Sequence, residues 1–133
     1  MTPETGLRFR NLWIACGAGF VALVIYLSLT PNPVDAPVVI GMKTGHMLAY
    51  CWLMFWFSQI YQGTTQRIGI ALALVLMGVG LEYIQGTTTY RHFAYSDMRD
   101  NAIGVMLGWI CAHTPLRHLL PWVDSAIPVR RST

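Results

Sequence analysis

Charged side chains are scarce in this 133-residue chain: Asp, Glu, Lys and Arg together make up 11% of it, against about 25% in a typical soluble domain. The hydrophobic fraction is 54% and the mean hydropathy is +0.45. A soluble fold of this length leaves much of its surface in water, and so few charges could not cover it. The composition therefore excludes a soluble domain, and it also excludes a disordered chain and a collagen-like repeat.

Cysteine is scarce as well, and its three copies, Cys16, Cys51 and Cys111, all lie inside apolar runs. An odd number in such places excludes a disulfide framework and favours small core residues. The chain lacks a phosphate-binding glycine loop, a nucleophile elbow and a basic aromatic surface. We therefore expect no cofactor and no nucleic-acid partner.

Long runs without a charge are the main feature that the chain does have. They cover residues 11–34, 44–66, 68–81 and 101–115, and a spanning helix needs roughly 20 mostly apolar residues. The sequence predicts helices at 12–29, 43–61, 67–85 and 100–119, with the first one an uncleaved span. The expected fold is an all-α membrane protein, a single domain over 1–133, with four transmembrane helices in an up-down bundle.

Lysine and arginine near the helix ends predict the orientation. With both termini inside, six basic residues lie on the inner side and three on the outer side: Arg8, Arg10, Arg67, Arg117, Arg130 and Arg131 against Lys43, Arg91 and Arg99. This bias predicts a multi-pass protein of the bacterial inner membrane with cytoplasmic termini. The tryptophans are interpreted as mostly lipid-facing or interfacial, and His113 and His118 as interfacial.

Polar residues form helical stripes in three of the four segments. The start of the second helix carries Lys43, His46 and Tyr50 at i, i+3 and i+7, and the end of the third carries Glu82 and Gln85. Arg91 follows in the loop, and the fourth segment then carries a stripe that ends in a small-xxx-small packing signature: Asp97, Asp100, Asn101, Gly104 and Gly108. In an up-down bundle these helix ends meet on one side of the membrane, so we expect one polar pocket at the outer interface.

Ionisable groups in such a place are costly and usually mark function. In the expected pocket His46, Glu82, Asp97 and Asp100 are candidate acid–base groups, whereas Lys43, Tyr50, Gln85, Arg91 and Asn101 are candidate ligand-binding groups. A metal held by His46 and the three carboxylates is an alternative, but no tight ligand motif is present. Two cations in the cluster favour an anionic ligand, so no metal is expected.

The whole pattern resembles the VanZ-like family of small bacterial membrane proteins, from Lys43 to Gly108. The matching residues form the blocks Lys-x-x-His-x-x-x-Tyr, Glu-x-x-Gln, Arg, and Asp-x-x-Asp-Asn followed by two glycines. The resemblance implies a multi-helix envelope protein, and the family's namesake is linked to low-level resistance to the glycopeptide teicoplanin.

Three functions remain open at this point. The first is a protein that binds or acts on an anionic lipid headgroup or a cell-wall precursor, with His46 or Glu82 moving a proton. The second is a non-catalytic protein whose polar cap is structural or mediates partner contacts, with pairs such as Lys43–Asp100 and Arg91–Glu82. A transporter or channel is the weakest of the three, because four helices offer little room for a path.

Overall fold

The computed structural model describes residues 7–29, 42–88 and 95–129, without the side chains of 42–46, and every regular element within these ranges is helical. Four long helices are followed by a short one: α1 (Arg10–Leu29), α2 (Met42–Ile60), α3 (Thr64–Gly86), α4 (Tyr95–Cys111) and α5 (Leu119–Ala126). A 3₁₀ turn at Pro115–His118 joins α4 to α5. The expectation of an all-helical chain is therefore confirmed.

The first three helices begin and end within three residues of the predicted positions, but the prediction for the fourth was wrong. This helix was expected at 100–119, whereas α4 runs from Tyr95 to Cys111. It ends early because Pro115 has no amide hydrogen and disfavours a helical conformation in the residue before it. Thr114 is extended, and its hydroxyl accepts a hydrogen bond from the Leu116 amide that begins the 3₁₀ turn.

The contacts between helices define their relative directions. The Trp56 indole, near the end of α2, donates to the Trp13 carbonyl near the start of α1, so these two helices are antiparallel. Gln85 at the end of α3 contacts Ser28 at the end of α1, so α1 and α3 run the same way. We call the end of the bundle with the last turns of α1 and α3 the Glu82 end, and the opposite end, which contains α5, the Asp124 end.

Helices α2 and α4 make the most extensive contact in the bundle, and two glycines allow it. A Cβ atom on Gly104 would overlap the Met47 carbonyl oxygen, and one on Gly108 would overlap that of Cys51. The matched spacing of the two pairs shows that α2 and α4 are parallel. Close backbone approach at small residues is typical of helix pairs in membranes.

From Asp100 onwards, the buried residues of α4 are more polar than its exposed ones. Asp100, Asn101, Gly104, Val105 and Gly108 face the bundle, whereas Ile103, Met106, Leu107 and Ile110 are exposed. Within the described ranges, α1 and α3 are the two helices long and apolar enough to cross a membrane. Only 17% of the most apolar 18-residue stretch of α1, and 22% of that of α3, is buried inside the structure. The central helix of a soluble protein would be mostly buried, so this exposure separates α1 and α3 from that class.

Candidate functional site

Five polar side chains are buried together towards the Glu82 end of the bundle. They come from three helices, and each is 5% exposed or less: Tyr50 of α2, Glu82 and Gln85 of α3, and Asp100 and Asn101 of α4. All five belong to the site expected from the sequence. Buried polar groups normally need partners, so the contacts of each one decide what the cluster can do.

Tyr50, Gly78 and Asn101 form the junction of the three helices. A Cβ atom on Gly78 would lie 2.9 Å from Asn101 Nδ2 and 3.3 Å from the Tyr50 hydroxyl oxygen. Both polar groups therefore rest against the α3 backbone where it has no side chain. Glu82 lies one turn further along the same buried face of α3.

Asn101 is the group in this cluster with an unmet hydrogen-bonding capacity. Its side-chain oxygen Oδ1 is buried and accepts no hydrogen bond from any residue that the structure describes. An unpaired buried acceptor costs about 1–3 kcal/mol. The only other such atom within the described ranges, the Ser58 hydroxyl oxygen, lies near the far end of α2.

The carboxylates on α4 differ in their surroundings. Asp100 is buried, and its Oδ1 lies 3.4 Å from Nη2 of Arg99, whose side chain is largely exposed. Asp97, one turn earlier, is only half-buried. The acidic stripe thus leads from the surface at Asp97 to the interior at Asp100 and Asn101.

Gln85 connects two helices at this end. Its Nε2 donates a hydrogen bond of 2.6 Å to the Ser28 carbonyl in the last turn of α1. Carbonyls in the last turn of a helix have no partner within the helix, so Gln85 stabilises the end of α1. The side-chain amide of Gln85 therefore holds α3 against the end of α1.

Three members of the expected pocket lie outside the described residues or side chains. Lys43 and His46 belong to the first turns of α2, where the structure describes the backbone only, and Arg91 precedes α4. The spacing of Lys43, His46 and Tyr50 on one helix remains a prediction from the sequence. Within the described residues, no group of three or more His, Cys, Asp or Glu side chains could hold a metal ion.

A second polar cluster, at the Asp124 end, was not predicted from the sequence. Asp124 of α5 is buried and accepts hydrogen bonds from the Trp13 indole and from the backbone amides of Arg8 and Phe9. We call these four residues the terminal clasp. Burial alone would raise the pKa of Asp124, but these hydrogen bonds and the Arg8 guanidinium together hold it below its ordinary value.

Two further contacts stabilise the same end. Arg67 is buried, and its guanidinium donates to the carbonyls of Ser58 and Tyr61 at the end of α2. The Gln59 side chain accepts a hydrogen bond of 2.6 Å from the Leu120 amide of α5. Arg67 was assigned to the inner membrane side by charge alone, and its position three residues into α3, after a short turn, was the available signal for its capping role.

Comparisons with protein-family models, curated proteins and solved structures found no match to this chain. The geometry of the two polar clusters is therefore the basis for assigning a function.

Proposed function

We propose that α1 to α4 all cross a membrane, as the up-down bundle expected from the sequence. The lengths of α2 and α4, 19 and 17 residues, fall at the lower end of the roughly 17–25 residues that span a bilayer. Large apolar side chains cover the outside, among them Leu72 at 59% and Leu76 at 69% exposure. Water-soluble monomers rarely expose such patches, whereas lipid requires them.

The Asp124 end is proposed to face the cytoplasm of a bacterial cell. Arg8, Arg10, Arg67 and Arg117 lie at this end, in line with the positive-inside rule. The cluster then extends from Asn101, which packs on Gly78 near the middle of the bundle, to Gln85 at the end of α3. Its Gln85 side lies near the outer interface, where lipid headgroups and membrane-anchored cell-wall precursors are accessible.

The proposed function is recognition of an anionic headgroup by this cluster. The observation that supports it is the buried, unpaired Oδ1 of Asn101 where three helices meet. A ligand hydroxyl or amide N–H would satisfy that acceptor and recover the free energy of its burial. The ligand class is therefore a phosphate-bearing headgroup that also carries hydrogen-bond donors.

Charge around the cluster sets the second requirement on the ligand. Of the described carboxylates, Asp100 has Arg99 beside it, and the sequence adds Lys43 and Arg91 to the same end. We propose that Lys43 and Arg91 bind the phosphate. His46 and Glu82 are the groups that would move a proton if the headgroup also reacts, and altered teicoplanin susceptibility is the cellular consequence that the family resemblance suggests.

Native mass spectrometry of the full chain in detergent, titrated with two lipids, tests this proposal. Phosphatidylglycerol carries a phosphate and hydroxyl donors, whereas phosphatidylcholine has no headgroup donor. We expect Asn101→Leu to weaken phosphatidylglycerol binding about tenfold, a factor that corresponds to about 1.4 kcal/mol. Asn11→Leu is the matched control, because Asn11 is exposed in the first turns of α1. Equal binding by wild type and Asn101→Leu would contradict the proposal.

A structural cap is the second candidate, favoured by the hydrogen bond between Gln85 and Ser28. The two candidates differ in what Asn101→Leu does to stability. A ligand site built on an unpaired acceptor predicts that the apo protein keeps or gains stability when that acceptor is removed. A structural cap predicts a lower unfolding temperature.

A further inference from the structure

An open, mostly apolar groove of about 520 Å³ lies between α1, the end of α2 and α3. Its walls include Val21 of α1, Phe57 and Tyr61 at the end of α2, and Gly69, Ala73 and Met77 of α3. It lies towards the Asp124 end and contains no residue of the cluster around Asn101. The groove is therefore a separate feature of the molecule.

The length of the groove matches one leaflet of a bilayer. Along α3 it extends from Gln66 to Met77, which is about 16 Å at the rise of an α-helix. This is roughly half of the ~30 Å hydrocarbon core. If the bundle spans the membrane as proposed above, the groove begins at the headgroup level and ends near the bilayer centre.

A cation lies next to the mouth of the groove at the Asp124 end. The Arg10 guanidinium carbon is 5.1 Å from the centroid of the Tyr61 ring, and Tyr61 lines the groove. Arginine at this depth is suited to bind a lipid phosphate. The groove thus has an apolar body one leaflet deep and a positive charge where a headgroup would lie.

We propose that this groove binds one acyl chain of an anionic phospholipid from the leaflet at the Asp124 end, with its phosphate on Arg10. The proposal rests on the membrane location given under the proposed function. Gly69 provides the space for the chain, since a Cβ atom there would meet nothing within 4 Å.

Photocrosslinking tests the proposal with the full chain reconstituted in phosphatidylcholine vesicles. The probe is phosphatidylglycerol with a diazirine midway along one acyl chain, and mass spectrometry maps the adducts. Groove residues should crosslink more than the exposed residues Met106 and Ile110 of α4, which report bulk lipid contacts. Gly69→Leu should lower groove crosslinking about tenfold, a factor that corresponds to about 1.4 kcal/mol.

Gly80→Leu is the matched control, because Gly80 lies on the same helix, is exposed, and also has open space at its Cβ position. It should leave groove crosslinking unchanged. Arg10→Gln should lower crosslinking by the phosphatidylglycerol probe but not by a phosphatidylcholine probe with the same diazirine.

Equal crosslinking in the Gly69→Leu and Gly80→Leu proteins would overturn the proposal. So would crosslinks between two copies of the chain that Gly69→Leu removes, since they would assign the groove to a second copy. Carbonate extraction of the same vesicles tests the membrane location separately from the lipid site. A chain that is extracted contradicts the membrane location, whereas an inserted chain with unchanged groove crosslinking contradicts the lipid site alone.

Discussion

The Trp13 indole donates a hydrogen bond of 2.8 Å to Asp124, although 111 residues separate them in the chain. The same carboxylate accepts hydrogen bonds from the backbone amides of Arg8 and Phe9, just before α1 begins. In return, the Arg8 guanidinium donates to the carbonyls of Asp124, Ser125 and Ile127 at the end of α5. Asp124 thus caps the start of α1 with a negative charge, and Arg8 caps the end of α5 with a positive charge. These are the charge signs that the two helix termini favour.

The clasp should contribute measurably to stability. Asp124→Ala leaves the amides of Arg8 and Phe9 and the Trp13 indole without their acceptor. We expect the free energy of unfolding to fall by about 2–4 kcal/mol, because hydrogen bonds to a charged group are worth roughly 1.5–3 kcal/mol each and are only partly additive. Thermal unfolding in detergent measures the effect. Trp13→Phe should lower stability as well, whereas Trp122→Phe, at a residue 68% exposed on α5, should not. Similar effects of the two tryptophan variants would contradict the role of the clasp.

The clasp should also give stability a defined pH dependence. Because the pKa of Asp124 in the folded protein lies below its ordinary value, folding favours the ionised carboxylate. Its contribution is complete above the unfolded pKa of about 3.9 and is lost as the pH falls through the lower folded value. The stability difference between wild type and Asp124→Asn should therefore be constant from about pH 8 to 5 and shrink below about pH 4. A difference that grows on acidification would contradict this.

The clasp was beyond sequence reasoning because its partners have no local pattern. Trp13 was interpreted as a lipid-facing or interfacial residue from its type alone, and Asp124 lies beyond the last predicted helix, outside every polar stripe. Only the packing of α5 against the start of α1 brings them together. Such contacts depend on tertiary geometry, which the spacing of residues along one helix does not contain.

The helices and their buried faces were more accessible to prediction. Charge-free runs identified α1 to α3 within three residues, and the spacing of Asp100, Asn101, Gly104 and Gly108 predicted the buried stripe of α4. The end of α4 at Cys111 was predicted too late, although Pro115 is a sequence signal for a helix break. The partner of Gln85 could not be read in this way, because its amide donates to Ser28 of α1, 57 residues away in the chain.

The glycines of the α2–α4 contact give a matched pair of stability predictions. Gly104→Ala places a Cβ atom against the Met47 carbonyl, a backbone group that cannot rotate away, so we expect a loss of about 1–3 kcal/mol. Gly80→Ala meets open space on α3 and should raise stability by up to about 1 kcal/mol, because alanine is the better helix former. Thermal unfolding of both variants in one detergent checks the contrast. A stable Gly104→Ala protein would show that α2 and α4 are not in backbone contact.

The proposed topology predicts the side from which each loop can be labelled. Gln62 in the turn between α2 and α3 and Ser125 in α5 are exposed at the Asp124 end, and Thr87 is exposed at the Glu82 end. In a background without Cys16, Cys51 and Cys111, single cysteines at these positions can be tested with a membrane-impermeant maleimide on intact cells. We expect labelling at Thr87 only, because four spans put Gln62 and Ser125 on the cytoplasmic side with the arginine-rich chain ends. Labelling of Gln62 and Thr87 from the same side would show that α3 does not cross. Labelling of Ser125 together with Thr87, with Gln62 protected, would show that α4 does not cross. Labelling of Gln62 and Ser125, with Thr87 protected, would show that the four-helix bundle spans in the opposite orientation.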